Sequence, residues 1–285
     1  MTAALALGKR VAILTESKSL QDQIQNDFGC IGLFDMRGLQ NYTCKALADG
    51  GHLEDMWQKK WGRPTCKVGP CTAGLRCDLK DGGCDYFDDY RKAISQQLVS
   101  TNYAYWIAIH KYGQGLGKFD MLILDEAHSA DSQLSAALSV ELTTKDIREL
   151  KSQPPKVTAP LQNWRMWARV QLSRVQSKLD FYTRGARIGT VTNGAVALVQ
   201  DTDVPDASEL MFWKKLEGKC MTLSESTDDW VIETDESNGH TRIAPVWIRK
   251  YTEMNLFLNI PRIVMMSATV RPKIVDLLGI QEGSY

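Results

Sequence analysis

The stretch Met121-Leu122-Ile123-Leu124-Asp125-Glu126-Ala127-His128 decides how this chain is read. Its four apolar residues run without alternation, as in a parallel strand covered on both faces. Two adjacent carboxylates and a histidine follow at the carboxyl end. A nucleotide hydrolase needs this order of residue types: an aspartate at the end of a buried strand holds Mg²⁺, and the next glutamate orients and deprotonates the attacking water. An Asp-Glu pair alone is common in proteins. Behind an apolar run in an α/β setting, it points to Asp125 as metal anchor and Glu126 as base, with His128 beside them.

Two further apolar runs share this character, Val11-Ala12-Ile13-Leu14 and Ile263-Val264-Met265-Met266. Each of the three runs leads through polar residues into a helical pattern: Thr15 to Phe28, Ser129 to Leu138, and Pro272 to Leu278. The last has Pro near its start and Gly279 just past its end, a favoured placement at helix termini. Strand, polar loop and helix in repetition predict a doubly wound α/β domain that binds ligands beyond the carboxyl ends of its strands. About a hundred residues separate the first strand from the second, and more separate the second from the third, against about 30 for a simple βαβ unit. The spacing therefore predicts two insertions, near Cys44 to Gln97 and near Thr143 to Lys250. The second has a hairpin signal at Ser237-Asn238-Gly239, between Val231 and Ile243.

The chain has 285 residues, 34 basic against 34 acidic side chains, and 44% hydrophobic residues, a globular balance. No run approaches the roughly 18 to 20 apolar residues of a membrane span. The opening MTAALALGKR places its charges after a short apolar stretch, the reverse of a secretion signal, so an intracellular chain is expected. Zero net charge excludes a wholly basic nucleic-acid coat protein while leaving local patches open. Such a patch exists. Between Lys151 and Gln200, eight Lys and Arg residues stand against Asp180 alone, and the acids gather from Asp201 onward. Arg165 and Arg169 alternate with Trp164, Trp167 and Tyr182. This reads either as a solvated helical face or as a surface that contacts phosphates and stacks on bases. Trp164, Trp167 and Val170 also fit a core stripe, the better reading for the tryptophans.

Of seven cysteines, Cys66, Cys71, Cys77 and Cys84 lie in one short stretch; Cys30, Cys44 and Cys220 are scattered. In a long chain without a secretion signal, such a cluster reads as a metal site, and its thiolates suit iron–sulfur clusters and zinc alike. Cys30 and Cys220 are expected to be small buried hydrophobes.

Taken in order, VAILTESKSLQDQ (11–23), RGLQNYTC (37–44), GPCTAGLRC (69–77), GGCDYF (82–87), TNYAYW (101–106), LILDEAH (122–128) and VMMSAT (264–269) resemble the iron–sulfur superfamily 2 DNA helicases, the XPD and DinG group. The resemblance covers almost the whole chain. It implies a partial RecA-like motor domain formed by 1–43, 99–142 and 251–285, an iron–sulfur domain at 44–98, and an arch-like, mainly helical insertion at 143–250. It implies a [4Fe–4S] cluster on Cys44, Cys71, Cys77 and Cys84; Cys66 is the spare, although its spacing also lets it replace one of the trio. Ser267, Ala268 and Thr269 would couple the nucleotide site to strand separation. Thr15, Lys18, Gln21, Asn102 and Tyr103 would contact single-stranded or forked DNA, which would pass between the two insertions. Lys59, Lys60, Trp61, Arg63, Arg91 and Lys92 are either further contacts or surface residues. ATP and Mg²⁺, 5′-to-3′ polarity and a place in DNA repair belong to the same implication.

The chain is expected to depart from the family in two respects that bear on activity, the phosphate loop and the second motor domain with its arginine finger. Its glycine-rich Gly113-Gln114-Gly115-Leu116-Gly117-Lys118 is one residue short of the phosphate loop GxxxxGK[ST], has Phe119 where Ser or Thr is needed, and precedes a strand instead of following one. The expectation is a fragment, split product or truncated homologue, with the remaining motor parts supplied by a second polypeptide, and no ATP hydrolysis by this chain alone. The competing reading is a non-catalytic nucleic-acid-binding or assembly module stabilised by a metal.

Overall fold

The computed structural model describes residues 2–48, 64–69, 71–72, 77–185, 207–235, 237, 239–269 and 272–280. In chain order the elements begin with α1 (Thr2–Ala6), β1 (Val11–Thr15), α2 (Lys18–Phe28), β2 (Leu33–Asp35), α3 (Lys45–Ala48) and α4 (Asp85–Ser95). Next come β3 (Leu98–Asn102), α5 (Tyr103–Tyr112), β4 (Met121–Asp125), α6 (Ala130–Leu138), β5 (Val140–Leu142) and α7 (Thr144–Leu150). The chain continues through α8 (Leu161–Gly185), α9 (Ala207–Ser224), β6 (Trp230–Asp235), β7 (His240–Pro245), α10 (Arg249–Thr252), β8 (Ile263–Met266) and α11 (Pro272–Leu278). Two compact units result, one from 1–38, 89–139 and 244–285, the other from 39–88 and 140–243.

The first unit is a five-stranded parallel sheet in the order β2-β3-β1-β4-β8. β1 is central, and all five of its residues are buried, as its unbroken apolar run predicts. Ala4 of α1 packs with Val11, Ile13, Leu33 and Leu98 on one face. The helices after β1, β4 and β8 fall where periodicity places them, and Gly279 ends α11 at φ +74°. β4 and β8 differ from the expectation of burial on both faces. Leu122 and Leu124 are fully buried, but Val264 and Met266 are 38% and 44% exposed. β8 is an edge strand: with a neighbour on one side only, its side chains keep solvent contact that a central strand loses.

Behind the sheet, Trp106 of α5 is wholly buried and donates from Nε1 to the Leu256 carbonyl at 2.9 Å. The glycine-rich segment 113–118 serves this packing. Tyr90 donates to Gly115 O at 2.7 Å, Arg10 Nη1 donates to Lys118 O at 3.0 Å, and Leu116 is fully buried. Gly115 has φ +69°, and a Cβ there would lie 2.8 Å from the His110 ring, so glycine serves both the conformation and the close approach.

In the second unit α8 packs on α9 around Leu150, Val175, Leu179, Leu210, Met211, Trp213, Leu216 and Cys220. The buried stripe of α8 runs Trp164, Ala168, Gln171, Val175, Leu179, in steps of three and four. Val170, by contrast, is 51% exposed, because six residues of helix leave it about 120° round the axis from Trp164. β5, β7 and β6 form a second sheet, with Val140 opposite Ile243 in antiparallel register. β6 and β7 make the expected hairpin: Gly239, at φ +69°, donates its N–H to Asp235 O at 2.8 Å, while Asn238 lies outside the described residues. Cys220 is buried as expected, but Cys30 is exposed, because it sits on the short 3₁₀ turn Gly29–Ile31 that closes α2.

Candidate nucleotide and metal sites

Strand register builds the first site. Pairing Asp125 with Met266 sets the next residue of β8, Ser267, beside the turn that follows β4. Glu126 begins that turn in the left-handed region at φ 49°, ψ 49°, uncommon for a side chain that is neither Gly nor Asn. Ser129 holds the turn by donating its N–H and its hydroxyl to Glu126 O at 2.9 and 3.0 Å. His128 Nδ1 then lies 2.9 Å from Ser267 Oγ and 3.0 Å from Glu126 Oε2, so a proton on that nitrogen is shared between hydroxyl and carboxylate. Ser267 Oγ also donates to Glu126 Oε2 at 3.4 Å and accepts the Thr269 N–H at 3.2 Å. Burial is the main reason that the Asp125 carboxyl is held above its usual range; the Glu126 N–H opposes this, and the Glu126 charge adds to it. Such a carboxylate gains from a cation in its place. A cleft of about 320 Å³ is lined by His128, Asp131, Thr269, Lys273, Ile274 and Leu277. Ala268 is exposed at the turn.

Tyr103 has a part in this site that sequence reading missed. It is fully buried, and its hydroxyl donates to the Asp125 carbonyl at 2.9 Å, fixing the strand end that carries the carboxylates. Thr15 and Gln21 are also fully buried. Thr15 donates to Ser17 O at 3.2 Å. Gln21 donates to Asp35 Oδ1 at 2.8 Å and accepts from Asn102 Nδ2 at 3.1 Å, while Asn102 Oδ1 caps α5 by accepting the Tyr105 N–H at 2.8 Å. Arg37 closes the belt, donating to Asp35 Oδ2 at 2.6 Å and pairing with Asp22. These residues tie together the carboxyl ends of β1, β2 and β3. Of the group expected to touch DNA here, Lys18 alone is exposed. In the second unit Arg165 is engaged with Asp228 and Ser226 O, whereas Arg169 is exposed.

The second site gathers thiols. Cys44 and Cys66 are buried, and Cys71, Cys77 and Cys84 are partly exposed; the Cys66 thiol donates to the Thr43 carbonyl at 3.6 Å, and a Cβ on Gly69 would lie 2.9 Å from Cys44 Sγ. The Cys44 thiol is drawn down to about 7, chiefly by the Cys66 hydrogen bond, while Cys66 is pushed up by the same bond and by burial. Burial raises Cys71 to about 11. Thiols are soft donors of the kind that suit a thiophilic cation. Among the described residues no three His, Cys, Asp or Glu side chains stand at coordinating distances. Lys59, Lys60, Trp61 and Arg63 lie outside the described residues.

No protein-family profile and no curated protein matches this sequence. Solved structures do. One titled "Truncated XPD" is 14% identical with a TM-score of 0.47, and the match covers 94% of this chain and 84% of that one. "XPD_Helicase" is 12% identical with a TM-score of 0.48, over 96% of this chain and 53% of that one. The chain titled "Structure of S. tokodaii Xpd4" is 13% identical with a TM-score of 0.37, over 93% and 49%. The protein is thus similar to XPD helicase structures and spans about half the length of the two longer chains.

Proposed function

We propose that this chain is the first motor domain of an ATP-dependent DNA helicase of the iron–sulfur superfamily 2 group, with 5′-to-3′ polarity. The observation that carries the reading is the contact between His128 and Ser267, which joins the Asp-Glu-Ala-His and Ser-Ala-Thr segments through one hydrogen bond at the end of a parallel sheet. A helicase needs that link. Hydrolysis at one strand end must change what the neighbouring strand end does, and a side chain bonded to both is the shortest route. In this reading Asp125 holds Mg²⁺ and Glu126 accepts the proton of the attacking water. His128 and Ser267 to Thr269 report the state of that carboxylate.

Exposed Lys18 in the first unit and exposed Arg169 in the second would each serve as a phosphate contact for single-stranded DNA. The segment 44–98 is the cysteine domain and 143–250 the arch-like insertion. The thiols of Cys44, Cys71, Cys77 and Cys84, with Cys66 against them, would hold a [4Fe–4S] cluster. When bound it would cross-link the chain around residue 44 to the chain around residues 71–84. No helix among the described residues is long and apolar enough to cross a membrane.

The test is DNA-stimulated phosphate release with Mg²⁺. The chain is fused in frame to a GxxxxGK[ST] loop segment and a second motor domain. Glu126→Gln should lower the rate by about 10²- to 10⁴-fold, the usual contribution of a positioned base. A fusion that binds ATP and hydrolyses it equally well with Glu126→Gln overturns the assignment.

A further inference from the structure

Lys151 is the first of the eight basic residues that precede Gln200. It ends α7 in the left-handed region, at φ 49°, ψ 36°, with its N–H donated to Arg148 O at 3.2 Å. That conformation is uncommon for a lysine and ordinary for a glycine. The turn sets the next residues against one face of the helix, where Thr144, Ile147, Arg148 and Lys151 neighbour one another. A cleft of about 430 Å³ results, lined by these four side chains together with Ser152 and Gln153.

The charged groups in this lining are two exposed cations, Arg148 and Lys151. Nearby acids do not neutralise them. Asp146 accepts the Thr143 N–H and pairs with Lys219. Glu149 reaches Arg148 Nε at 3.7 Å, beyond hydrogen-bond distance, and the Arg148 side chain is 74% exposed, so the pair is weak and the guanidinium stays open to another acceptor.

Ser152 is the fixed part of the cleft. Trp167 Nε1 donates to its hydroxyl at 3.1 Å and Gln171 Nε2 at 3.2 Å. Gln171 is 2% exposed, and its Oε1 accepts from Arg174 Nη1 at 3.4 Å, which turns the amide NH₂ toward Ser152. A serine oxygen has two lone pairs and one proton. With both lone pairs filled, Ser152 can act only as a donor, and among the described residues nothing accepts its proton. A donor-only hydroxyl in a cleft lined by cations suits an anion.

We propose that this cleft binds a phosphate group, held by the Arg148 guanidinium, the Lys151 ammonium and the Ser152 hydroxyl. Three separate donors fit a tetrahedral oxyanion, whose oxygens point in several directions; a planar carboxylate is already filled by one guanidinium fork. A terminal phosphate on a small molecule and a phosphodiester of a nucleic-acid backbone present the same chemistry to these donors. The site belongs to the second unit and stands or falls independently of the nucleotide site at Asp125.

Phosphate binding by the whole chain in chloride buffer tests this. ³¹P NMR follows inorganic phosphate and adenosine monophosphate, and fluorescence anisotropy follows a single-stranded oligonucleotide with hydroxyl ends. Arg148→Ala should weaken binding by about 10- to 100-fold, the loss of a charge-assisted hydrogen bond. Arg148→Lys should recover part of this, since it keeps the charge and loses the fork. Lys151→Gly should bind about 10-fold more weakly while unfolding at the same or a higher denaturant concentration, because glycine accepts the left-handed turn freely. Those opposed readouts separate a ligand role from a structural one. Weakening confined to inorganic phosphate and the monophosphate identifies a terminal phosphate as the ligand, and weakening that includes the oligonucleotide identifies the backbone. A wild-type chain that binds none of the three probes overturns the proposal. So does a bound probe whose affinity is unchanged in the double variant Arg148→Ala, Lys151→Gly.

Discussion

The two candidate sites are assembled by different means. In the sheet unit, residues far apart in sequence meet because consecutive backbone hydrogen bonds fix the register of β4 against β8, and Ser267 can arrive at His128 in one way only. In the cysteine segment the described residues hold an isolated bridge between Thr43 and Thr65 and short 3₁₀ turns such as Cys66–Val68 and Asp78–Lys80. The first arrangement is over-determined: removing one side chain leaves the ladder in place. Among the described residues the second has one isolated bridge in place of a ladder.

The largest effect should come from the packing beneath the ladder. Trp106 is fully buried, its indole N–H is bonded to Leu256 O, and its ring lies 5.5 Å from that of Phe119. Trp106→Ala should cost about 3 to 5 kcal/mol, a large part of the stability of an ordinary domain. Denaturant unfolding should show it, with hydrogen exchange accelerated in β1, β3 and β4. Trp106→Phe keeps most of the volume and leaves the Leu256 carbonyl unpaired, so it should cost about 1 to 3 kcal/mol. If Trp106→Ala behaves like Trp106→Phe, the bond and not the packing holds this side of the sheet.

Strand-based parts of the molecule were legible in the sequence because their signals are local and repeated. Continuous apolar runs gave β1, β4 and β8, and the Pro272 and Gly279 punctuation gave α11. The Asp125-Glu126 site follows once a strand is known to end there. Solvent exposure was harder to read. Edge position made Val264 and Met266 exposed, and helix rotation did the same for Val170; neither is visible in a run of residues. Roles that depend on a distant partner were not legible either. Tyr103 looks like any aromatic in TNYAYW until its hydroxyl is seen on Asp125 O, and Gln21 until it bridges Asp35 and Asn102. Among five cysteines spacing alone allowed more than one set of four.

A second, smaller effect should appear as a pH dependence of the sheet unit. His110 Nδ1 lies 2.8 Å from Trp106 O, and its Nε2 accepts the Leu116 N–H at 3.1 Å. That pair of bonds fixes the neutral ring with its proton on Nδ1. Burial lowers its pKa below the ordinary 6.5, against a smaller opposing effect of the Trp106 carbonyl. The folded state therefore binds fewer protons than the unfolded state between the lowered value and 6.5, so stability rises with pH across that window and falls as acid is added. Chemical denaturation at a series of pH values below 6.5 should show this slope in the wild type and a shallower one in His110→Gln. Equal slopes would mean that the ring titrates as freely in the folded protein as in the unfolded chain.

The smallest effect compares one helix start in each unit. α7 opens with a full capping box: Thr143 Oγ1 accepts the Asp146 N–H at 3.2 Å, and Asp146 Oδ2 accepts the Thr143 N–H at 2.8 Å. Lys219 Nζ adds a further bond to Asp146 Oδ2 at 2.7 Å. α2 opens on Ser17, whose hydroxyl meets the Leu20 N–H at 3.4 Å, near the limit of a hydrogen bond, and shares Ser19 Oγ at 3.0 Å. Replacing an N-cap side chain by Ala costs about 0.5 to 2 kcal/mol, according to how well the bond is made. Thr143→Ala should therefore lie near about 1 kcal/mol, since it breaks a reciprocal pair, and Ser17→Ala near the lower limit of about 0.5 kcal/mol. The inequality matters more than either value. A well-made cap is a structural hydroxyl, whereas a poorly made one can turn to another partner at little cost to the helix. Ser17 lies beside exposed Lys18 in the stretch that resembles a single-strand contact. A weak cap there and a strong one at Thr143 would separate a surface kept available for a ligand from one committed to the fold. If denaturant midpoints show Ser17→Ala costing as much as Thr143→Ala, the Ser17 hydroxyl is spent on α2, and Lys18 is left as the contact in that turn.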